Sequence, residues 1–208
     1  MALVLVVDDN EMNRDMLSRR LSRHGHQVLC AKDGAEALAL QEANPIDLIF
    51  LDVMMPGVSG LEVLRQVRQR KRPTELPVIM VTAKDQSQDV VAAMEMGAND
   101  YLSKPIDFAV LLARMGIHLE VLAQSKASKN LVDFARGHMR PALEELDRAV
   151  KRLHAAAAAA NVSAEVKAAI NDVTEQTQVS QQAYEGLVIF GDEVFGPEPA
   201  RNAKGRSK

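Results

Sequence analysis

The sequence predicts an α/β fold, a doubly wound five-stranded parallel sheet, followed by an all-α helical hairpin. Three observations carry that expectation. Five short apolar runs, Leu3–Val7, Gln27–Ala31, Asp47–Leu51, Pro77–Val81 and Asp100–Leu102, recur at intervals that leave room for a helix between successive runs. Aromatic residues are only 3% of the 208 residues and Trp is absent, so Ala, Leu, Val and Met must fill the core, which suits helices and Val-rich strands better than a β-sandwich. Past about residue 130 the strand signals stop, and an Ala-rich pattern at three- and four-residue spacing takes over.

The elements follow in order. The first run leads into Asp8 and Asp9, and Met16, Leu17 and Leu21 then mark one face of a helix. Cys30, in the second run, reads as a small buried hydrophobe of a central strand. The third run ends at Asp52, after which Pro56, Gly57 and Gly60 shape a loop, and Leu61, Val63, Leu64 and Val67 outline the next helix. Arg65 to Arg72 reads as a solvated basic helix end, favourable to the helix dipole. The fourth run reaches Thr82, and the fifth is followed by Lys104-Pro105. An amphipathic segment from Asp107 to about Leu122 completes a first domain of residues 1–122, and the polar residues 123–131 are a linker or a continuation of that helix.

Charge and cysteine usage narrow the function. The net charge of −3 offers no general attraction for phosphate backbones, which disfavours a nucleic-acid binder. One cysteine excludes an internal disulfide framework and a cysteine-based zinc site. No uninterrupted apolar stretch approaches the roughly 18 residues of a membrane span, and the opening lacks the basic segment of a signal peptide, so a cytoplasmic protein without membrane partners is expected.

What stands at the strand ends points to chemistry. In a parallel sheet of this kind, ligands bind at the carboxyl ends of the strands. Asp8, Asp9, Asp52, Thr82 and Lys104 all fall there. Any one of them alone reads as a helix cap or turn residue. Together they read as a site: clustered carboxylates repel unless a hard cation such as Mg²⁺ sits among them, and Asp52 can then act as a nucleophile toward phosphorus. Lys104 would neutralise phosphoryl charge, and Thr82 would donate a hydrogen bond to a phosphoryl oxygen.

The segments VLVVDDN (Val4–Asn10), LIFLDVMMPGVSGLEVL (Leu48–Leu64), VIMVTAK (Val78–Lys84) and GANDYLSKPID (Gly97–Asp107) resemble the receiver domains of two-component response regulators over about residues 1–120. The resemblance implies strand order 2-1-3-4-5, a phosphoacceptor at Asp52, and Mg²⁺ held by Asp8, Asp9, Asp52 and the backbone carbonyl of Met54. It implies a switch pair in Thr82 and Tyr101, and a histidine kinase or phosphotransfer protein as partner. Met54 and Lys84 occupy the positions that tune phosphoryl lifetime in the family, and neither suits an attacking water. Slow self-dephosphorylation, with self-phosphorylation from small phosphodonors but no enzymatic turnover, is therefore expected.

Residues 132–195 read as a helical hairpin. Val132, Ala135, Met139, Ala142, Leu146, Ala149, Leu153 and Ala156 form one stripe, flanked by Leu143 and Val150. Asn161 serves as a stop and Ser163 as a cap before a second stripe at Val166, Ile170, Val173, Thr177, Ser180, Tyr184 and Leu187. A lone hairpin buries little, so a homodimeric four-helix bundle, or docking on the receiver, is expected. Gly137-His138-Met139-Arg140-Pro141-Ala142-Leu143 is similar to a compressed histidine-kinase phosphoacceptor box, though no carboxylate follows His138, and Pro141 should kink the helix. Residues 196–208 read as a disordered basic tail.

The expectation is thus a response regulator that signals through a helical dimerisation or protein-interaction module to a downstream protein. The alternatives are a phosphorelay intermediate passing phosphate between Asp52 and His138 or another regulator, and, less favoured for want of a recognition helix, a DNA-binding regulator.

Overall fold

The computed structural model of the chain describes residues 1–83, 87–160 and 162–195. It divides into two compact units, Met1–Lys126 and a second beginning at Ala127. The phosphoryl-lifetime position Lys84, the stop at Asn161 and the tail 196–208 lie outside the described residues.

In the first unit, strands β1 (Leu3–Val7), β2 (Gln27–Ala31), β3 (Leu48–Asp52), β4 (Val78–Ala83) and β5 (Asp100–Lys104) alternate with helices α1 (Glu11–Arg23), α2 (Gly34–Ala43), α3 (Gly60–Arg68), α4 (Ser87–Glu95) and α5 (Phe108–Phe134). All strand pairs are parallel, in the order 2-1-3-4-5. The chain enters its helices through side-chain caps. Asn10 accepts from the amides of Met12 and Asn13, Asp33 from Glu36, and Ser59 from Glu62.

Because successive side chains of a strand alternate between faces, the sheet separates its apolar residues into two cores. Leu5, Val7, Ile49, Leu51, Val78 and Met80 pack with Val63, Leu64 and Val67 of α3. Val4, Val6, Leu48, Phe50, Ile79 and Val81 pack with Leu17 and Leu21 of α1 and Leu111 and Met115 of α5. Burying each such Leu, Ile, Val or Phe side chain contributes about 1.5–3 kcal/mol.

Two expectations change here. The strand order makes β2 an edge rather than a central strand, and Cys30 is accordingly half-buried. The basic run after α3 is not wholly solvated. Arg68 donates from Nε to the Gly97 carbonyl at 2.8 Å, from Nη1 to the Leu76 carbonyl at 3.0 Å, and from Nη2 to Asn99 Oδ1 at 2.9 Å. Residues 123–131 are helical, as part of α5. By length and mean hydropathy the helical stretch Phe108–Ala159 would pass as a membrane span, yet its Leu111 and Met115 are buried against the sheet.

In the second unit a π turn, Ala135–Met139, leads into α6 (Arg140–Ala159), and α7 (Ala164–Phe195) follows. Pro141 has no amide to return to Gly137, and the break expected at this proline takes the form of that π turn just ahead of it. The turn also divides the first stripe. Val132 and Ala135 are buried, and a side chain at Gly191 of α7 would collide with Val132. After the wide turn the phase advances by one residue, so Val150 and Ala157 are buried while Met139, Ala142, Leu146, Ala149, Leu153 and Ala156 are exposed. On α7 the stripe also splits. Ile170, Thr177, Tyr184 and Gly191 are buried, whereas Val166, Val173 and Ser180 are exposed. Thr177 meets its buried surroundings by donating from Oγ1 to the Val173 carbonyl at 2.7 Å.

Candidate functional site

Strand register brings the site together. Val7 of β1 lies beside Leu51 of β3, Asp52 beside Val81 of β4, and Thr82 and Ala83 beside Ser103 and Lys104 of β5. The residues at or just past these strand ends therefore share one edge. Ligand atoms of Asp8, Asp9 and Asp52 lie within 4.8 Å of one another. Asp8 and Asp52 are buried and Asp9 is exposed, which leaves the cluster a solvent-facing side.

Lys104 spans two of these carboxylates, with Nζ 2.5 Å from Asp52 Oδ2 and 2.9 Å from Asp8 Oδ2. Burial works against its charge, but the hydrogen bonds to Asp52 and Asp8 outweigh it and raise the ammonium above the ordinary lysine range. At Asp52, burial pushes the carboxyl up and the Asp8 charge adds to that, so its affinity for a proton is raised even with Lys104 and the Met54 amide in place. The Met54 N–H donates to Asp52 Oδ1 at 3.2 Å, so each oxygen of Asp52 has its own donor.

The donor set suits Mg²⁺. Three carboxylates and one ammonium carry a net charge of −2, all the first ligands are hard oxygens, and few carboxylates are needed because this ion keeps several waters. The Met54 residue adjoins the cluster through its amide, with its side chain exposed.

Thr82 is buried at the end of β4, its Oγ1 donating to the Ala83 carbonyl at 3.3 Å. Tyr101 is 41% exposed and turned outward, with the Arg114 guanidinium 5.6 Å from its ring centre and bonded to its carbonyl at 3.0 Å. His138 does not belong to this cluster. It lies in the π turn of the second unit, exposed, its ring stacked on Phe134 with centroids 4.5 Å apart and Nδ1 3.2 Å from the Phe134 carbonyl.

Two supporting residues were not anticipated. Asn13 Nδ2 lies 3.1 Å from both oxygens of Asp8, and Arg14 Nη1 donates to the carbonyls of Asp8 and Asp9 at 2.7 and 3.0 Å. Their signal was present in the spacing: once Asn10 is the cap of α1, positions three and four residues later return to the strand end just before it. The glycine at position 60, expected only to shape the loop, has a more specific role. A Cβ there would run into the Asp52 carbonyl oxygen, so only glycine lets the start of α3 approach the end of β3.

The model of the response regulator receiver domain family matches residues 4–116. The chain is 41% identical over 112 residues to Protein PilH of Pseudomonas aeruginosa, a match covering 54% of this chain and 93% of PilH. It is 43% identical over 130 residues to the alkaline phosphatase synthesis transcriptional regulatory protein PhoP of Bacillus subtilis, covering 61% of this chain and 53% of PhoP. Among solved structures, the Vibrio cholerae chemotaxis protein CheY4 is 34% identical with a TM-score of 0.53, covering 56% of this chain and 97% of CheY4. The receiver domain protein of Methanospirillum hungatei is 27% identical with a TM-score of 0.56, covering 60% of this chain and 98% of that one.

Proposed function

Because the chain belongs to the response regulator receiver family over residues 4–116, we propose that Asp52 takes a phosphoryl group from a histidine kinase or phosphotransfer protein, and that the helical unit carries the output by protein–protein interaction. The observation that supports this best is the buried Asp52 carboxylate between Lys104 and the Asp8–Asp9 pair at the sheet edge.

The chemistry is a displacement at phosphorus. An oxygen of Asp52 attacks, the P–N bond of a phosphohistidine breaks, its electron pair returns to the imidazole, and an acyl phosphate remains on Asp52. Asp8, Asp9, Asp52 and the Met54 carbonyl would hold a Mg²⁺ ion, which would supply positive charge to the phosphoryl oxygens. Lys104 turns its ammonium from the Asp52 oxygen to the oxygens of the new group. Thr82 redirects its hydroxyl from the Ala83 carbonyl to the same group, and Tyr101 moves from its outward position into the space that Thr82 vacates. Asn13 and Arg14 hold Asp8 and Asp9 in place while charge changes beside them.

The reading includes a cytoplasmic location, no DNA target, and a phosphoryl group lost slowly because neither Met54 nor Lys84 can orient water. Asp52→Asn should abolish labelling by phosphoramidate or acetyl phosphate; undiminished acyl phosphate in that variant would overturn the acceptor assignment.

One observation favours a second role. The Nδ1 of His138 faces the Phe134 carbonyl of its own helix at 3.2 Å, so Nε2 is the ring nitrogen left to meet a phosphoryl group. In this reading the chain relays phosphate between Asp52 and His138 or another regulator. Acid-labile, base-stable phosphate that disappears in His138→Gln would identify it.

A further inference from the structure

The row Met139, Ala142, Leu146, Ala149, Leu153 and Ala156 is the most regular apolar pattern of the second unit, yet each of these residues is exposed. Its three-four spacing is that of a helix seam packed against another helix. The hairpin does not use it. There α6 presents Leu143, Val150 and Ala157, and α7 presents Ile170, Thr177 and Tyr184. A second exposed row, Val166, Val173 and Val194, runs along α7 with Ser180 in register. Each exposed row lies three residues on from its buried row, Leu146 from Leu143 and Val173 from Ile170. In two antiparallel helices an equal offset turns both rows to the same side, so the two rows share one face of the hairpin, apolar along α6 and interrupted by Ser180 on α7.

We propose that this face closes on a second copy of the chain, with α6 lying antiparallel on the partner's α6 about a two-fold axis. The residues of α6 complement themselves in that arrangement. Leu146 falls opposite the partner's Ala149, Leu153 opposite the partner's Ala142, and Met139 opposite the partner's Ala156. Every long side chain meets an alanine, which lets the helices approach closely without a void. A parallel arrangement would set leucine on leucine and alanine on alanine.

The charges agree with the same register. Glu144 pairs with Arg140, and Asp147 with Lys151 at 2.7 Å, within the helix. Glu145 and Arg152 flank the exposed row on the side away from α7, and among the described residues neither side chain has an ion-pair or hydrogen-bond partner. They stand seven residues apart, too far to pair within one helix. The antiparallel register sets Glu145 beside the partner's Arg152, and the two-fold axis repeats the pair. Nothing in this arrangement depends on the chemistry of Asp52.

Sedimentation equilibrium of the full chain over a concentration series tests it. The expected mass is twice the 22.7 kDa of a single chain. Leu146→Glu with Leu153→Glu should give the single-chain mass with helical circular dichroism unchanged, since both positions are exposed. Glu145→Arg alone should weaken association roughly tenfold, and Glu145→Arg combined with Arg152→Glu should restore it to within about threefold. A single-chain mass for the unaltered protein, a dimer that survives the paired Leu→Glu changes, or a double charge exchange that fails to recover association would each overturn the proposal.

Discussion

Arg68 shows how one side chain can tie three segments of the receiver together. Its guanidinium reaches the carbonyls of Gly97 and Leu76 and the Asn99 side chain, while Asn99 also accepts from the Val78 amide at 2.9 Å and donates to the Pro73 carbonyl at 3.1 Å. Burial lowers Arg68 to about 10, so it stays charged at neutral pH. Arg68→Ala should destabilise the fold by about 2–3 kcal/mol, because acceptors formed in the folded state lose a charged donor, and a urea denaturation midpoint measures it. Nothing in the sequence separates Arg68 from the arginines around it. Membership of a basic run says solvated surface, and only the return of residues 97–99 beside α3 makes this position different. The carboxylates were legible for the opposite reason, since an Asp at the end of an apolar run has few structural roles when its neighbours end the same way. His26 offers a pH-dependent test. Burial lowers its basicity, with the N-terminal amine and His24 adding to the effect, and Nδ1 is buried without a partner among the described residues. The unfolded chain therefore takes up the proton first, so the contribution of His26 is full above about pH 6.5 and falls away as pH drops below it. The slope of stability against pH between 7 and 5 should be shallower in His26→Gln.

At the scale of elements, the close meeting of β3 and α3 has the clearest consequence. The N-terminus of α3 stands against the carbonyl of Asp52, the proposed phosphoacceptor, and Gly60 also donates its amide to the Val53 carbonyl at 3.0 Å. Gly60→Ala should therefore cost about 1–3 kcal/mol of stability from overpacking, and should also slow labelling of Asp52 by a small phosphodonor. A loss of stability with an unchanged labelling rate would mean that the strain is absorbed by α3 alone. The apolar pattern located these elements well because the inner strands of the first unit are buried on both faces and read as short continuous apolar runs, while helices such as α1 and α3 bury three-four spaced residues. In the second unit it located the two helices but not their buried faces, for a physical reason. A pattern of apolar spacing identifies a helix face but not which partner covers it, and the π turn at Ala135–Met139 hands the inner side of the hairpin from one set of residues to another.

For the whole molecule, the division at Lys126 carries a prediction of its own. A chain ending there keeps both cores of the sheet, every site residue from Asp8 to Lys104, and the Lys126 ammonium 2.7 Å from Asp47. Burial works to raise the Asp47 carboxyl, but the bonds from Lys126 and from the Leu3 amide at 2.9 Å prevail and hold it below its usual range. Residues 1–126 should fold with a cooperative thermal transition and accept phosphate from acetyl phosphate at a rate within about twofold of the full chain; loss of the transition would show that the receiver needs the helical unit in order to fold. The two grammars of the sequence, β-branched runs and then an Ala-rich stripe, already mark this division. Their different relations to the site are just as readable, since all the clustered carboxylates fall in the first. The π turn adds a constraint on how the chain can vary in length. Heptad by heptad, α6 can grow or shrink with its inner and outer rows preserved, so relatives that differ there should differ by sevens. A change of one residue would exchange the rows, setting Leu146 inside and Leu143 outside, and would survive only if the extra residue in the π turn were lost or gained with it.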